Sequence, residues 1–577
     1  MTRDTFKNLC SKNLLILDGA TGTEFIRRGM PGSVCTEQWA LDNKDTVAAM
    51  QREYKHAGSA LVYTPTFGGN RYKLSEFGLG DQTREINTEL ARRSRESIGD
   101  TLLFGDLAPT GKFVDPFGDL AFEDAVACYK EQAAALAGGG VDGFVIETMM
   151  DIQEARAALI AVRELDNYPV MVSMTFDNTA HTLNGTDPVS ALITLQALGA
   201  DAVGCNCSTG PSGMIDIITT LKPHARVPLC AKPNAGHPRL VDGVTTFDMG
   251  PDEFGSYGPA FIKAGAAIIG GCCGTTPAHI AAVRNATQRH TVAPPQVLSV
   301  GALSSARQTV FLGQRHPFAV VGERINPTGK KALQAELRKN SLLKVKQYAQ
   351  EQARRGAAVL DVNMGLSGID EMNMMLNSIR LLSRMSPLPL CIDTSNPAVA
   401  EAALRLCPGR ALVNSISGER ERIEKTLPAA ARYGAMIIAL PLTDQGIPPT
   451  AAGRIAVVES LVDEAALYGC TVDDLVVDGL VMTISSNPEA AAVTLDCIEW
   501  STNTLGSNSI VGLSNVSFGM PERKWINTAF LGMAMGRGLS MAIANPSSDS
   551  IMAAVQACNA LRGKDTGMHK RNGELAE

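Results

Sequence analysis

The strongest constraint on this chain is a count. Short apolar, β-branched runs alternate with longer Ala-, Leu-, Glu- and Arg-rich stretches, which predicts βα units around a parallel sheet. The first eight runs are LLILDGA (14–20), ALVYTPT (60–66), LLFGDLAP (102–109), GFVIET (143–148), VMVSMTF (170–176), AVGCNC (202–207), PLCAKPN (228–234) and AAIIGGC (266–272). The count then restarts with FAVVGERIN (318–326), AVLDVNMG (358–365), LPLCIDTS (388–395), ALVNSIS (411–417), AMIIALPLT (435–443), LVVDGLV (475–481), SIVGLSN (509–515) and SMAIANP (540–546).

Polar or reactive residues end nearly every run of the first set: Asp18, Thr64, Asp106, Glu147, Cys207, Asn234 and Cys272. An open doubly wound sheet would also alternate β with α, but only closure brings all of these ends together. The fold class expected is therefore α/β, as two tandem (β/α)8 TIM barrels. A barrel over 1–290 and another over 317–565 fit a length of 577 residues. The Pro/Ser/Gly-containing stretch 291–316 reads as a linker or a short strand-like connection, and 566–577 as a tail. The motifs of the two halves differ too much for a sequence repeat.

With 52 basic and 59 acidic residues the formal charge is −7, and no Lys/Arg stripe suggests a nucleic-acid surface. The start, MTRDTFKNLC, lacks the apolar core of a signal peptide, and no run of about 18 apolar residues marks a membrane span. A cytoplasmic setting is the expectation, in which most of the 13 cysteines are reduced thiols buried as small hydrophobes.

Three cysteines ask for more. VGCNCSTGP puts Cys207 at the end of the sixth run, and IIGGCCGTTP puts Cys272 and Cys273 at the end of the eighth. Barrel closure sets these ends one strand apart. Three thiolates with one open position make a catalytic rather than structural zinc site, and adjacent cysteines are poorly placed to form a disulfide. Glycines 204, 270, 271 and 274 would let backbone approach such a metal. Cys205 is expected on the opposite side, as core. On spacing alone, a metal site and a set of inert buried thiols stand level.

The first half resembles the homocysteine S-methyltransferase domain family, through DGATGT (18–23), TPTFGGN (64–70), GFVIETMMD (143–151), GCNCSTGP (204–211), AKPNAG (231–236) and GGCCGTTP (270–277). The resemblance implies Zn2+ on Cys207, Cys272 and Cys273, with homocysteine sulfur as the fourth ligand. It also implies that the turn of Asp18, Ala20 and Thr21 offers N–H groups to the substrate carboxylate. Glu147 would pair with the substrate ammonium, and Asn234 would help orient the substrate.

The second half groups no cysteines but sets hydrogen-bonding side chains at its strand ends: Glu323, Asn326, Asp361, Asn363, Asp393, Asn414, Asp478 and Asn515. Carboxylates and amides in such a ring suit the flat donor edge of a pterin, whereas Asn363 is expected to tie strand ends together. VGERINPTG (321–329), LDVNMG (360–365), CIDTSNP (391–397), LVNSISG (412–418) and GLSNVSFGMPER (512–523) resemble the pterin-binding methyltransferase family. That likeness implies that Asp393, Asn414 and Asp478 hold the pterin edge and that Asn515 contacts N5 of 5-methyltetrahydrofolate. Arg523 is a candidate for the distal part of folate.

The two domains in this order are similar to the first half of the cobalamin-dependent methionine synthase family. By that likeness, methyl passes from methyltetrahydrofolate through a cobalamin carrier to the zinc-bound thiol, giving methionine and tetrahydrofolate. No Asp-x-His-x-x-Gly corrinoid loop occurs in the chain, so the carrier is expected in another domain or protein, in trans. Two other readings stand: methylation of a different thiol, and a folate-binding subunit that feeds a corrinoid protein without a thiol reaction of its own.

Overall fold

The computed structural model describes residues 1–241, 244–295 and 300–564; the expected tail, 566–577, lies outside them. The chain divides into two compact units, Met1–Leu298 and Ser299–Glu577. Among the described residues no helix is long and apolar enough to cross a membrane.

In the first unit eight parallel strands follow in spatial order: β1 (Leu15–Ile16), β2 (Leu61–Tyr63), β3 (Leu102–Leu107), β4 (Gly143–Met149), β5 (Val170–Met174), β6 (Ala202–Asn206), β7 (Leu229–Lys232) and β8 (Ala266–Ile269). β1 pairs with β8, and a parallel bridge from Leu17 to Leu61 joins β1 to β2 and closes the ring. Alternate residues point inward: Leu15, Leu61, Phe104, Val145, Met171, Ala202, Cys230 and Ile268 pack as one buried cluster in the barrel. Burying such side chains contributes roughly 1.5–3 kcal/mol each, so this parity fixes which later residues face the mouth. The connecting helices carry ordinary end signals. Helix Pro188–Ala197, for example, starts with proline and is capped by Asp187, whose carboxylate accepts from Ser190 N.

The second unit repeats the plan with β9 (Ala319–Ile325), β10 (Val359–Asn363), β11 (Leu390–Asp393), β12 (Leu412–Ser417), β13 (Met436–Leu440), β14 (Leu475–Asp478), β15 (Asn508–Ile510) and β16 (Met541–Ala544). β16 pairs with β9, and a bridge from Gly512 to Ile543 completes the circle. Both units are therefore (β/α)8 barrels, as the strand count predicts.

Part of the stretch read as linker has a structural role in the second barrel. Ala302–Ser304 and Thr309–Phe311 form an antiparallel ribbon. Leu303 and Leu312 are buried against Ala319, Val359, Leu412 and Met436, residues of the barrel interior. Arg410 donates to the Ala302 carbonyl and pairs with Asp474. The ribbon thus covers the base of the barrel, and the strand ends at the opposite mouth remain available for a site.

Candidate functional site

The first mouth is organised by Cys207, Cys272 and Cys273, whose sulfurs all lie within 4.8 Å of one another. Three sulfurs at about 2.3 Å from one zinc would stand roughly 3.8 Å apart, so the donor set fits a tetrahedral thiophilic metal. Each cysteine is partly exposed, and all three line a cavity of about 500 Å³. Donation from the Cys272 and Cys273 thiols pulls the pKa of Cys207 down to about 3, while Cys273 is pushed up to about 12 by its hydrogen bond to Cys207.

Backbone geometry explains why Cys207 reaches the mouth and Cys205 does not. In a regular strand residues two apart share a face, and Asn206 has the inward parity of Ala202. Cys207 and Ser208 take φ of 63° and 54°, a left-handed conformation that costs about 1–3 kcal/mol per residue. That turn swings Cys207 off the outward track and leaves Cys205 buried behind the strand. The flanking glycines also let protein segments pack closely: a Cβ on Gly204 would fall 1.8 Å from the Cys230 carbonyl oxygen, and one on Gly271 2.4 Å from Thr275 Oγ1.

Asn206, absent from the sequence-based site, ties the cluster together. Its Oδ1 accepts from Thr148 N (2.9 Å) and Ser173 Oγ (2.8 Å), and its Nδ2 lies 3.8 Å from Cys272 Sγ. The loop of Cys272 and Cys273 is stitched to its neighbours by Cys272 N to Pro233 O, Ala235 N to Cys273 O and Gly271 N to Asp18 O.

Lys232 also went unnoticed in the sequence. Its Nζ is buried 3.2 Å from Asp18 Oδ1, 3.6 Å from Glu147 Oε2 and 3.7 Å from the centre of the Tyr63 ring. The two carboxylates push its pKa up against the cost of burial. Asp18 therefore faces inward, to Lys232 and to Tyr63 N at 2.8 Å. Ala20 N donates to Thr275 Oγ1, so that amide is engaged internally, while Ala20 and Thr21 line the cavity. Glu147 is buried at the cavity wall, and burial raises its pKa. Asn234 is buried and hydrogen-bonds the Cys207 thiolate.

At the second mouth Asn363, Asp393 and Asp478 end β10, β11 and β14, Asp361 and Asn414 lie within β10 and β12, and Glu323 lies on β9. Asn414 Nδ2 reaches Asp361 Oδ1 at 3.4 Å, and Asp478 Oδ1 accepts from Leu480 N at 2.7 Å. Asn363 donates to Asp393 (3.0 Å) and accepts from Gly365 N, the strand-tying role expected of it. Burial, reinforced by Asp393, lifts Asp361 to about 8, and burial lifts Asp478 to about 6. Glu323 and Asp393 are also raised by burial.

Three residues of the sequence-based set lie beyond the strands. Asn326 Oδ1 accepts from Thr328 N. Asn515 is exposed on the short turn Leu513–Ser517. Arg523 holds that turn by donating to Ser514 O (2.8 Å) and Ser517 Oγ (3.0 Å).

Residues 15–287 match the family model "Homocysteine S-methyltransferase", and residues 322–545 match "Pterin binding enzyme". Curated relatives include methionine synthase of Mycobacterium tuberculosis, 29% identical over 94% of this chain and 48% of its own length. Methionine synthase of Mycobacterium leprae is likewise 29% identical, over 93% and 48%. The chain thus spans about half the length of these relatives. Among solved structures, the metallated homocysteine methyltransferase MmuM of Escherichia coli is 23% identical over 47% of this chain and 96% of its own, with a TM-score of 0.41. The chain thus carries, in this order, a stretch that matches the homocysteine S-methyltransferase family model and a stretch that matches the pterin-binding enzyme model.

Proposed function

We propose that the chain carries both end stations of a methyl relay, from 5-methyltetrahydrofolate to homocysteine, yielding tetrahydrofolate and methionine. The observation that carries this reading is the trio of mutually close sulfurs in the wall of a cavity that also exposes buried carboxylates. Zn2+ held by Cys207, Cys272 and Cys273 would keep a substrate thiol as thiolate near neutral pH, against a free pKa of roughly 8.5. Glu147 takes the substrate ammonium, the turn Asp18–Thr21 borders its carboxylate, and Asn234 steadies Cys207.

In the second barrel Asp393, Asn414 and Asp478 hold the pterin edge, with Glu323, Asn326 and Asp361 around it. Asn515 hydrogen-bonds N5 as its methyl departs, and Arg523 keeps the Asn515 turn in place. Cobalamin, in another domain or protein, would supply the nucleophile that a methyl on a tertiary amine requires. The free thiols of all 13 cysteines suit a reducing cytoplasm.

The test combines the protein with homocysteine, methyltetrahydrofolate and free or protein-bound cobalamin, and measures methionine formed and zinc per chain. Near one zinc with methionine formation supports the reading. Methylation of cobalamin without onward transfer to the thiol overturns the first-barrel assignment.

A further inference from the structure

The first mouth gathers more carboxyl groups than its lysine can pair. Asp18, Asp106 and Glu147 are all buried there, and Lys232 contributes one cation, hydrogen-bonded to Asp18 at 3.2 Å and 3.6 Å from Glu147. Asp106 Oδ1 has no hydrogen-bond partner among the described residues, and Glu147 Oε2 meets Lys232 Nζ only at 3.6 Å, beyond hydrogen-bond distance. Both side chains line the same cavity as the three cysteines.

Their convergence follows from strand register. Asp106 on β3 is paired with Val145 on β4, two residues before Glu147. Phe104 and Val145 belong to the interior cluster, so Asp106 and Glu147, each two residues further on, share that inward face. The rest of Asp106 is fixed: its N–H donates to Thr64 Oγ1, and its carbonyl accepts from Thr66 Oγ1. One carboxylate edge is therefore held toward the cavity. Leaving a buried carboxyl oxygen without a donor is costly, and a ligand cation bearing several N–H donors can serve both carboxyl groups at once.

We propose that Asp106 is a second binding residue for the α-ammonium of the acceptor, shared with Glu147, and that this pair selects amino-acid thiols over thiols lacking the ammonium. Lys232 occupies the Asp18 side of the cluster and directs the incoming cation to the Asp106–Glu147 side. This inference rests on the first-barrel reading above and names its acceptor class.

The test is calorimetric binding of L-homocysteine and of 4-mercaptobutanoate, the same thiol without its ammonium, to the zinc-loaded chain. The wild type is expected to prefer homocysteine by about 100-fold or more, because a site built for N–H donors rejects an analogue lacking them. Asp106→Asn keeps the shape but not the charge. It is expected to cut that preference about tenfold, with zinc content and 4-mercaptobutanoate affinity unchanged; Asp106→Glu restores part of the preference.

Equal binding of the two thiols by the wild type, or an unaltered preference in Asp106→Asn, overturns the proposal. A parallel loss of both thiols in the variant also overturns it, by showing a merely structural role. If the wild type holds zinc but binds neither thiol, the reading of the barrel as an acceptor site falls as well, a result distinct from the others.

Discussion

Lys232 shows how much one buried side chain can organise. Its ammonium faces Asp18, Glu147 and the Tyr63 ring with almost no solvent contact. Removing one partner of a buried ion pair typically costs about 3–5 kcal/mol, because the remaining charge is left uncompensated. Lys232→Met is therefore expected to lower the unfolding midpoint of the first unit clearly in a thermal scan, and Asp18→Asn on top of it to recover part of the loss. An unchanged midpoint would contradict this account. In the other barrel Asp478 and Asp361 differ usefully, with pKa values near 6 and near 8. An ionised carboxylate accepts a ligand N–H more strongly than a neutral acid does, and the ionised fraction of Asp478 grows as pH rises through about 6. Methyltetrahydrofolate affinity is thus expected to increase from pH 5 to 7 and then level, whereas Asp478→Asn binds weakly with a flat profile. For the empty barrel the sign is opposite. An acid raised on folding contributes stability present below its unfolded pKa near 4 and lost as pH rises through its folded value, so Asp361 makes the second unit less stable between about pH 4 and 8.

At the scale of elements, strand count and polar strand ends were legible because period and parity are local properties. Single-bridge closure at Leu17–Leu61 and Gly512–Ile543 follows from that count. Lys232 was not legible: next to the Pro233–Asn234 turn it reads as one more polar strand end, and only the inward parity it shares with Cys230 hints at burial. Asn206 was hidden between two cysteines that drew attention to themselves, and the separation of Cys205 from Cys207 depends on a backbone turn that alternation does not foretell. Arg454 is similar. It lies on helix Ala451–Leu467, is 1% exposed, and donates to the carbonyls of Pro448 (3.1 Å), Gly479 (3.0 Å) and Leu480 (2.7 Å). It thereby anchors the loop that leaves β14 directly after Asp478, where Leu480 sits at φ 50°. Arg454→Met strands three carbonyls, each costing about 1–3 kcal/mol when buried without a partner. The expected result is a lower denaturation midpoint for the second unit and weaker folate binding, with zinc content unchanged. Loss of folate binding at an undiminished midpoint would show that Arg454 acts on the ligand directly.

For the whole molecule the consequential fact is how the proposed site residues divide: the cysteines, Lys232 and the carboxylates fall within Met1–Leu298, the proposed pterin ring within Ser299–Glu577. With the proposed residues so divided, the two half-reactions of the proposed relay should be separable by substitution. Cys272→Ser removes one of three sulfur donors and is expected to abolish zinc retention and to lower thiol methylation by about 100-fold or more, since the acceptor thiol loses the ion that keeps it deprotonated. The same protein should still demethylate methyltetrahydrofolate with added cobalamin at a rate within about twofold of wild type. Asn515→Ala should do the converse, slowing that demethylation by about 10- to 100-fold, the scale of losing a hydrogen bond made in the transition state. Thiol methylation from supplied methylcobalamin should then be intact. Measuring both half-reactions on both variants tests the partition directly. If either substitution depressed both half-reactions together while each unit kept its unfolding midpoint, the sites would be functionally coupled, and two independent stations would no longer describe this chain.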